Sequence, residues 1–352
     1  MKIAQIAPLA ESVPPKLYGG TERVVSYLTE ELVRLGHDVT LFASGDSETS
    51  ANLVACSRRA LRLDAAIRDP LAPVTLMLEQ VRRRAPEFDL LHFHLEHVHF
   101  PLFRPLARKT VTTVHGRLDL AELAPLYREF SDMPLVSISD SQRAPLPGAN
   151  WVGTVHHGLA TEVCPFNPAF SQSVRSGYFA FLGRVSRDKG LDRAIEIARR
   201  ANARLRIAAK VDRDDEDYFR SHIVPQLAAP GIEFIGEVTE EQKPAFLGNA
   251  TALLFPIDWP EPFGLAMIEA MSCGTPVLAW PHGAVSEVVE DGLTGYIVDT
   301  TDAGVAALER IARLDRTRVR HRFEERFSAA RMAQDYLSVY RALGRRRAIA
   351  AA

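Results

Sequence analysis

Residues 261–276 read Glu261-Pro-Phe-Gly-Leu-Ala-Met-Ile-Glu269-Ala-Met-Ser-Cys-Gly-Thr-Pro276. The pattern predicts a helix over Phe263–Ser272, stopped by Gly274 before an apolar strand at Pro276–Trp280. Glu261 precedes that helix in a loop stiffened by Pro260 and Pro262, and Glu269 lies about two turns further on. A helix start offers unpaired backbone N–H groups and a positive dipole end, which suits a phosphate or a sugar hydroxyl. Two carboxylates beside those donors can accept hydrogen bonds from sugar and ribose hydroxyls.

Outward from this stretch the chain alternates strand and helix. Upstream come a strand at Tyr178–Leu182, a helix at Gly190–Arg200 and strands at Arg204–Ala209, Glu233–Ile235 and Ala252–Phe255; downstream is Gly295–Val298. Phe181-Leu182-Gly183-Arg184 ends the first of these strands, and Lys189-Gly190 opens the next helix. Arg184 and Lys189 therefore share one loop at a strand's carboxyl end, where they can converge on one anion. The first half of the chain has the same grammar. Lys2–Ala7 and Val39–Phe42 are strands flanking a helix with Val24, Val25, Leu28, Leu32 and Leu35 on one face and Gly36 as its cap. Further strands follow at Leu90–His94, Thr110–Val114, Leu135–Ile138 and Trp151–His156. Two successive alternating halves predict two facing, doubly wound Rossmann-like α/β domains with a cleft between them. The linker is expected at about 159–176, rich in Pro, Ser and Asn, and residues 303–343 read as helical.

Composition excludes several classes. The 352 residues are 47% apolar and 24% charged with a net charge of −2, values of a globular protein that is not a general polyanion binder. The balance conceals a basic end: residues 310–352 carry 12 basic and 4 acidic side chains. Cys56, Cys164 and Cys273 lie far apart without CxxC spacing, so isolated buried thiols in a reducing compartment are expected. The N-terminus is interrupted by polar Gln5 and lacks a signal peptide's pattern, and no apolar run is long enough to span a bilayer. A cytoplasmic protein follows from that reading.

The string from Glu261 to Pro276 resembles the signature of the retaining glycosyltransferases of family 4, the glycosyl transferases group 1, which have the GT-B fold. The resemblance implies that Glu261 contacts the transferred sugar, Glu269 the nucleotide ribose, and the backbone amides of Phe263, Gly264 and Leu265 the sugar or diphosphate. Gly183-Arg184 and Lys189-Gly190 are similar to the family's G-R-x-x-x-x-K-G block, which puts the donor diphosphate on Arg184 and Lys189. Gly19-Gly20, in Tyr18-Gly19-Gly20-Thr21-Glu22, matches a Gly-Gly that touches the donor phosphates, and His115-Gly116 matches a position where the His sits beside the transferred sugar. The resemblance covers nearly the whole chain. It departs at His157-Gly158-Leu159-Ala160, where family members have N-G-V-D, and at Ala209, where many have Gly.

On this reading the domains are 1–165 (acceptor side) and 166–327 (donor side), with a helix over about 328–352 packing back on the first. The implied activity is transfer of a sugar from a UDP-, GDP- or ADP-linked donor to an unidentified glycan, lipid or small molecule, with retention. No cofactor, metal or nucleic acid is expected, while Arg341 and Arg345–Arg347 offer a contact with anionic membrane lipid. His92, His94, His97 and His99 resemble a metal cluster, but no matching acid or Cys set except Glu96 accompanies them, so metal binding is disfavoured and lining of the acceptor site is the stronger of the two functional readings. Asp212, Asp214, Asp215 and Asp217 could form D-x-D metal motifs but are expected to be solvated. A nucleotide-sugar epimerase of the same fold, a glycan phosphorylase and a non-catalytic sugar-nucleotide-binding protein are the alternatives. A nicotinamide dehydrogenase is disfavoured because the G-x-G-x-x-G fingerprint is missing.

Overall fold

Strand β1 (Lys2–Ile6) is buried from Ile3 onward, which suits apolar Ile3, Ala4 and Ile6 and makes buried Gln5 the exception. In the computed structural model, which describes residues 1–16, 19–164, 166 and 177–351, it lies in the middle of a parallel sheet. That sheet continues through β2 (Asp38–Ser44), β3 (Asn52–Ser57), β4 (Leu90–Phe93), β5 (Thr110–Thr113), β6 (Leu135–Ser137) and β7 (Trp151–Thr154), in the order β3-β2-β1-β4-β5-β6-β7. A second parallel sheet has six strands: β8 (Tyr178–Arg184), β9 (Leu205–Lys210), β10 (Ile232–Gly236), β11 (Ala250–Phe255), β12 (Val277–Ala279) and β13 (Gly295–Ile297). Their order, β10-β9-β8-β11-β12-β13, repeats the winding of the first sheet. In each, the strand order reverses beside the first strand of the series, and ligands of doubly wound sheets bind at the carboxyl ends of the strands at that point.

The chain divides into two units, Met1–Gly158 with Ala329–Ala352, and Leu159–Ser328. The break falls ahead of the expected 165/166 for a physical reason. Leu159 donates its N–H to Phe327 O at 2.9 Å, and Arg320 donates to the carbonyls of Thr161 and Cys164, so these residues are tied to the second unit. Most of the expected linker, and Tyr18, lie outside the described residues.

Burial explains the elements. On the helix Leu191–Arg200, Leu191, Ala194, Ile195, Ile197 and Ala198 pack with Phe179, Phe181, Leu205 and Ile207 of the second sheet. Each such large side chain stabilises by roughly 1.5–3 kcal/mol. The expected helical tract 303–343 is three helices, Thr301–Ile311, Arg316–Phe327 and Ala329–Ala351. Asp315 caps the second by accepting from Thr317 N–H, and extended Ser328 ends it. On the last helix Met332, Ala333, Tyr336, Leu337 and Tyr340 are buried.

Two further expectations are corrected. Cys164 and Cys273 are not isolated thiols: their Cα atoms are 5.6 Å apart and they form a disulfide. Sequence spacing hid this because fold topology, not proximity in sequence, brings the two together. Cys56 stays a free thiol, and burial pushes its pKa up to about 12. The helix expected from Phe263 begins at Leu265, because Gly264 sits in the left-handed region at φ 86° and cannot be its first turn.

Candidate active site

In the second unit the loops after β8 and β11 meet at the switch point. Gly190, at φ 70°, closes the β8 loop against the β11 loop; a Cβ there would lie 2.0 Å from Pro256 O. Asp258 N–H donates to Asp188 O at 2.8 Å, and Arg193 Nε–H to Pro256 O at 2.9 Å. The stitching sets Lys189 against Glu261, and the two form an ion pair. Trp259 joins both, donating Nε1–H to Glu261 Oε2 at 3.1 Å while its ring lies 4.7 Å below Lys189 Nζ. Glu261 is buried and Lys189 nearly so. Ion pairs this enclosed hold their geometry, since removing one partner strands a desolvated charge.

Arg184 and Lys189 do not share a partner. Arg184, 39% exposed, faces Asp212 at 3.6 Å and Asp215 at 3.8 Å. Asp212 is therefore not the solvated acid expected of it. Register places Arg184 opposite Lys210, and Lys210 reaches Asp212 at 2.9 Å. The Lys210 hydrogen bond, chiefly, holds the Asp212 carboxyl below its usual range. Asp214 and Asp217 are exposed. A Cβ at Gly183 would meet only Phe181, at 3.9 Å, so packing alone does not demand glycine there. Glu269 pairs with Lys243 at 2.7 Å, and Lys243 also reaches Glu240 at 2.6 Å. Burial pulls the Lys243 ammonium down, but the two carboxylates outweigh it and hold its pKa above the ordinary value. Phe263 is buried with its ring 6.1 Å from that of Phe327, and Leu265 opens the helix that carries Glu269.

In the first unit, Gly19 caps the helix Gly20–Arg34 through Arg23 N–H, which donates to Gly19 O at 3.2 Å. Glu22 in its first turn is buried, and burial pushes its carboxyl up. His115 follows β5. Its backbone N–H and that of Gly116 donate to Glu96 Oε1 at 2.9 and 3.1 Å, and Glu96 takes a left-handed φ of 52° to reach them. The His115 ring bonds to His94 at 2.9 Å and stacks on His157. His92 is held by Tyr340 and Thr113 at 2.7 and 2.8 Å, and His99 by Thr112 at 2.9 Å. Burial lowers the pKa of His92 and His115 to about 3 and that of His94, His99 and His157 well below 6.5, so these rings are neutral. Only His97 of the sequence cluster is half-exposed. His92, His94 and His99 are thus each hydrogen-bonded to other side chains, and among the described residues no group of three or more His, Cys, Asp or Glu is placed to hold a metal ion.

Comparison with known proteins decides the family. Residues 169–327 match the family described as Glycosyl transferases group 1, and residues 18–135 the one described as Glycosyltransferase Family 4. The chain belongs to the family 4, group 1 glycosyltransferases. This glycosyltransferase is 31% identical over 219 residues to the alpha-maltose-1-phosphate synthase of Mycolicibacterium smegmatis, spanning 54% of this chain and 56% of that one. It is 24% identical to the glycogen synthase of Mycobacterium tuberculosis over 93% of both chains. Its fold matches that of Anabaena Alr3699/HepE, solved in complex with UDP-glucose, with a TM-score of 0.72 at 18% identity over 97% of this chain and 100% of that one. Two parallel-sheet Rossmann-like domains of seven and six strands make this the GT-B fold. No helix among the described residues is long and apolar enough to cross a membrane.

Sequence reasoning missed Trp259, Lys243, Lys210, Gln5 and the positioning part of Glu96. Gln5 had a signal: a polar residue inside an apolar strand must find partners when buried. Trp259, Lys210 and Glu96 sit at loop or strand-end positions and Lys243 opens a short helix, Lys243–Gly248, and the partners of all four are supplied only by the fold.

Proposed function

We propose that this glycosyltransferase moves a sugar from a nucleotide-diphosphate donor to a hydroxyl acceptor, with retention of configuration and without a metal ion. The observation that carries the reading is the Lys189–Glu261–Trp259 cluster at the switch point of the second sheet. As the anomeric carbon gains oxocarbenium character, negative charge grows on the departing diphosphate; Arg184, Lys189 and the amides of Phe263, Gly264 and Leu265 offset it. Glu261 orients the sugar and Glu269 holds the ribose. Gly19, Gly20 and Gly183 meet the donor's phosphates through their backbone, and His115 lies beside the transferred sugar. The bond from the anomeric carbon to phosphate oxygen breaks while the acceptor oxygen bonds on the same face, and the leaving phosphate takes the acceptor's proton. Metal independence is supported by Asp212, whose carboxylate is already occupied by Lys210 and Arg184.

UDP-linked sugars head the donor screen because a protein of this fold binds UDP-glucose, and GDP- and ADP-linked sugars follow. The acceptor is a glycan, a lipid or a small molecule. A cytoplasmic location belongs to the same proposal, with exposed Arg341 and Arg345 on the last helix meeting anionic lipid. The test is a thermal-shift screen followed by turnover in excess chelator. A donor at 100 times its dissociation constant adds about 2.7 kcal/mol of stability. Donor binding with undiminished turnover after chelation is the expected result. No shift with any UDP-, GDP- or ADP-sugar, or activity restored only by Mn²⁺ or Mg²⁺, would overturn it.

A further inference from the structure

Gln5 lies on β1, His94 just after β4 and His115 just after β5, and their side chains form one continuous relay. His115 Nε2 is 2.9 Å from His94 Nδ1, and His94 Nε2 is 2.9 Å from Gln5 Oε1. At the far end Gln5 Nε2 is 3.4 Å from the Tyr340 hydroxyl, which is 2.7 Å from His92 Nδ1. A neutral imidazole has one donor and one acceptor nitrogen, so the relay can run in only two senses.

In one sense Gln5 Oε1 accepts from His94 Nε2–H, His94 Nδ1 accepts from His115 Nε2–H, and His115 Nδ1 carries a bare lone pair. In the other the Gln5 amide is turned, every donor reverses, and the relay ends on a protonated His115 Nδ1. The end of the relay decides between them. His115 Nδ1 is enclosed and has no hydrogen-bond partner among the described residues. An enclosed N–H without an acceptor is rarer than an acceptor left with a free lone pair. The first sense also agrees with the rest of the network: the Tyr340 hydroxyl accepts from Gln5 and donates to His92 Nδ1, and His92 Nε2–H donates to Thr113 Oγ1, 2.8 Å away.

We propose that Gln5 and His94 are positioning residues that lock His115 in its Nε2–H tautomer, leaving Nδ1 as a fixed hydrogen-bond acceptor. His115 is then not a general acid or base. It stays neutral, and its ring orientation is set from behind. The backbone of His115 is fixed separately, by Glu96. The catalytic consequence rests on the proposed function, in which His115 lies beside the transferred sugar; the tautomer does not.

The test is nitrogen-15 NMR of histidine-labelled full-length protein, with donor turnover measured on the same samples. In the unsubstituted protein His115 Nε2 is expected to carry the hydrogen and Nδ1 to show the shift of a bare imidazole nitrogen. Gln5→Met, close in volume, and His94→Phe should convert this pattern into a tautomer mixture and slow turnover about tenfold. His94→Asn puts an amide oxygen near the former Nδ1 position, so it should restore the tautomer and most of the rate. Hydrogen on His115 Nδ1 in the unsubstituted protein overturns the proposal even if every variant fails to fold, and leaves the donor assignment standing. So does a folded Gln5→Met protein with unchanged His115 shifts. If the tautomer responds as stated but turnover ignores both Gln5→Met and His115→Ala, the positioning role and the placement of His115 beside the sugar both fall.

Discussion

The two switch points are built from opposite chemistry. In the first unit the ends of β1, β4 and β5 carry a network of neutral side chains, Gln5, His92, His94 and His115, with Tyr336 and Tyr340 closing behind them, while the Glu96 carboxyl accepts from backbone N–H groups. In the second, the ends of β8 and β9 and the loops that follow β8 and β11 carry paired charges: Arg184 with Asp212, Lys210 with Asp212, and Lys189 with Glu261. A neutral network costs little to bury and fixes direction, because each hydrogen bond has one geometry. A charged one is costlier to enclose, but it supplies potential where charge develops in a reaction. The same fold has been spent on geometry in one unit and on electrostatics in the other.

Acid should break that contrast most strongly. His92 goes from 6.5 in the open chain to about 3 when folded. A histidine with a depressed folded pKa contributes its stability fully above 6.5 and loses it as pH falls toward the folded value. At pH 5 each such ring forfeits about 2 kcal/mol relative to neutral pH. Hydrogen exchange at pH 5 should therefore show the first sheet opening before the second; equal loss in both units would sink the account.

Charge removal sharpens the other side. Lys189→Ala and Arg184→Ala should each cost roughly 2.7–4 kcal/mol of transition-state stabilisation, about 100- to 1,000-fold in donor turnover, with native circular dichroism retained. Near-normal rates for Lys189→Ala would remove it from the reaction. Asp212→Asn sits at the small end. Its partners are part-exposed, so the pair is worth at most about 1 kcal/mol in stability, and turnover should change less than about threefold. A large loss there would mean that Asp212 acts on the reaction itself.

Much of this was legible in the chain. Buried parallel strands write themselves as apolar runs, so twelve of the thirteen strands among the described residues could be read directly. The exception, β3, is an edge strand whose Asn52 and Leu53 are exposed, and it leaves a weak pattern. Glu261, Lys189 and Arg184 were singled out because the strings that carry them resemble the family's motifs. Their partners were not: Lys189 meets Glu261, and Lys243 meets Glu269, across loops that only the strand order brings together. Gln5 shows the subtlest case. Its polarity counted against a signal peptide, whereas its meaning lay in two side chains far away in sequence, His94 and Tyr340.

The last helix, Ala329–Ala351, belongs to the first unit although the whole of Leu159–Ser328 intervenes. During synthesis, then, the strands bearing His92 and Gln5 emerge long before the tyrosines that complete their hydrogen bonds. The second unit, continuous in the chain, can finish folding while the first still waits for its closing piece.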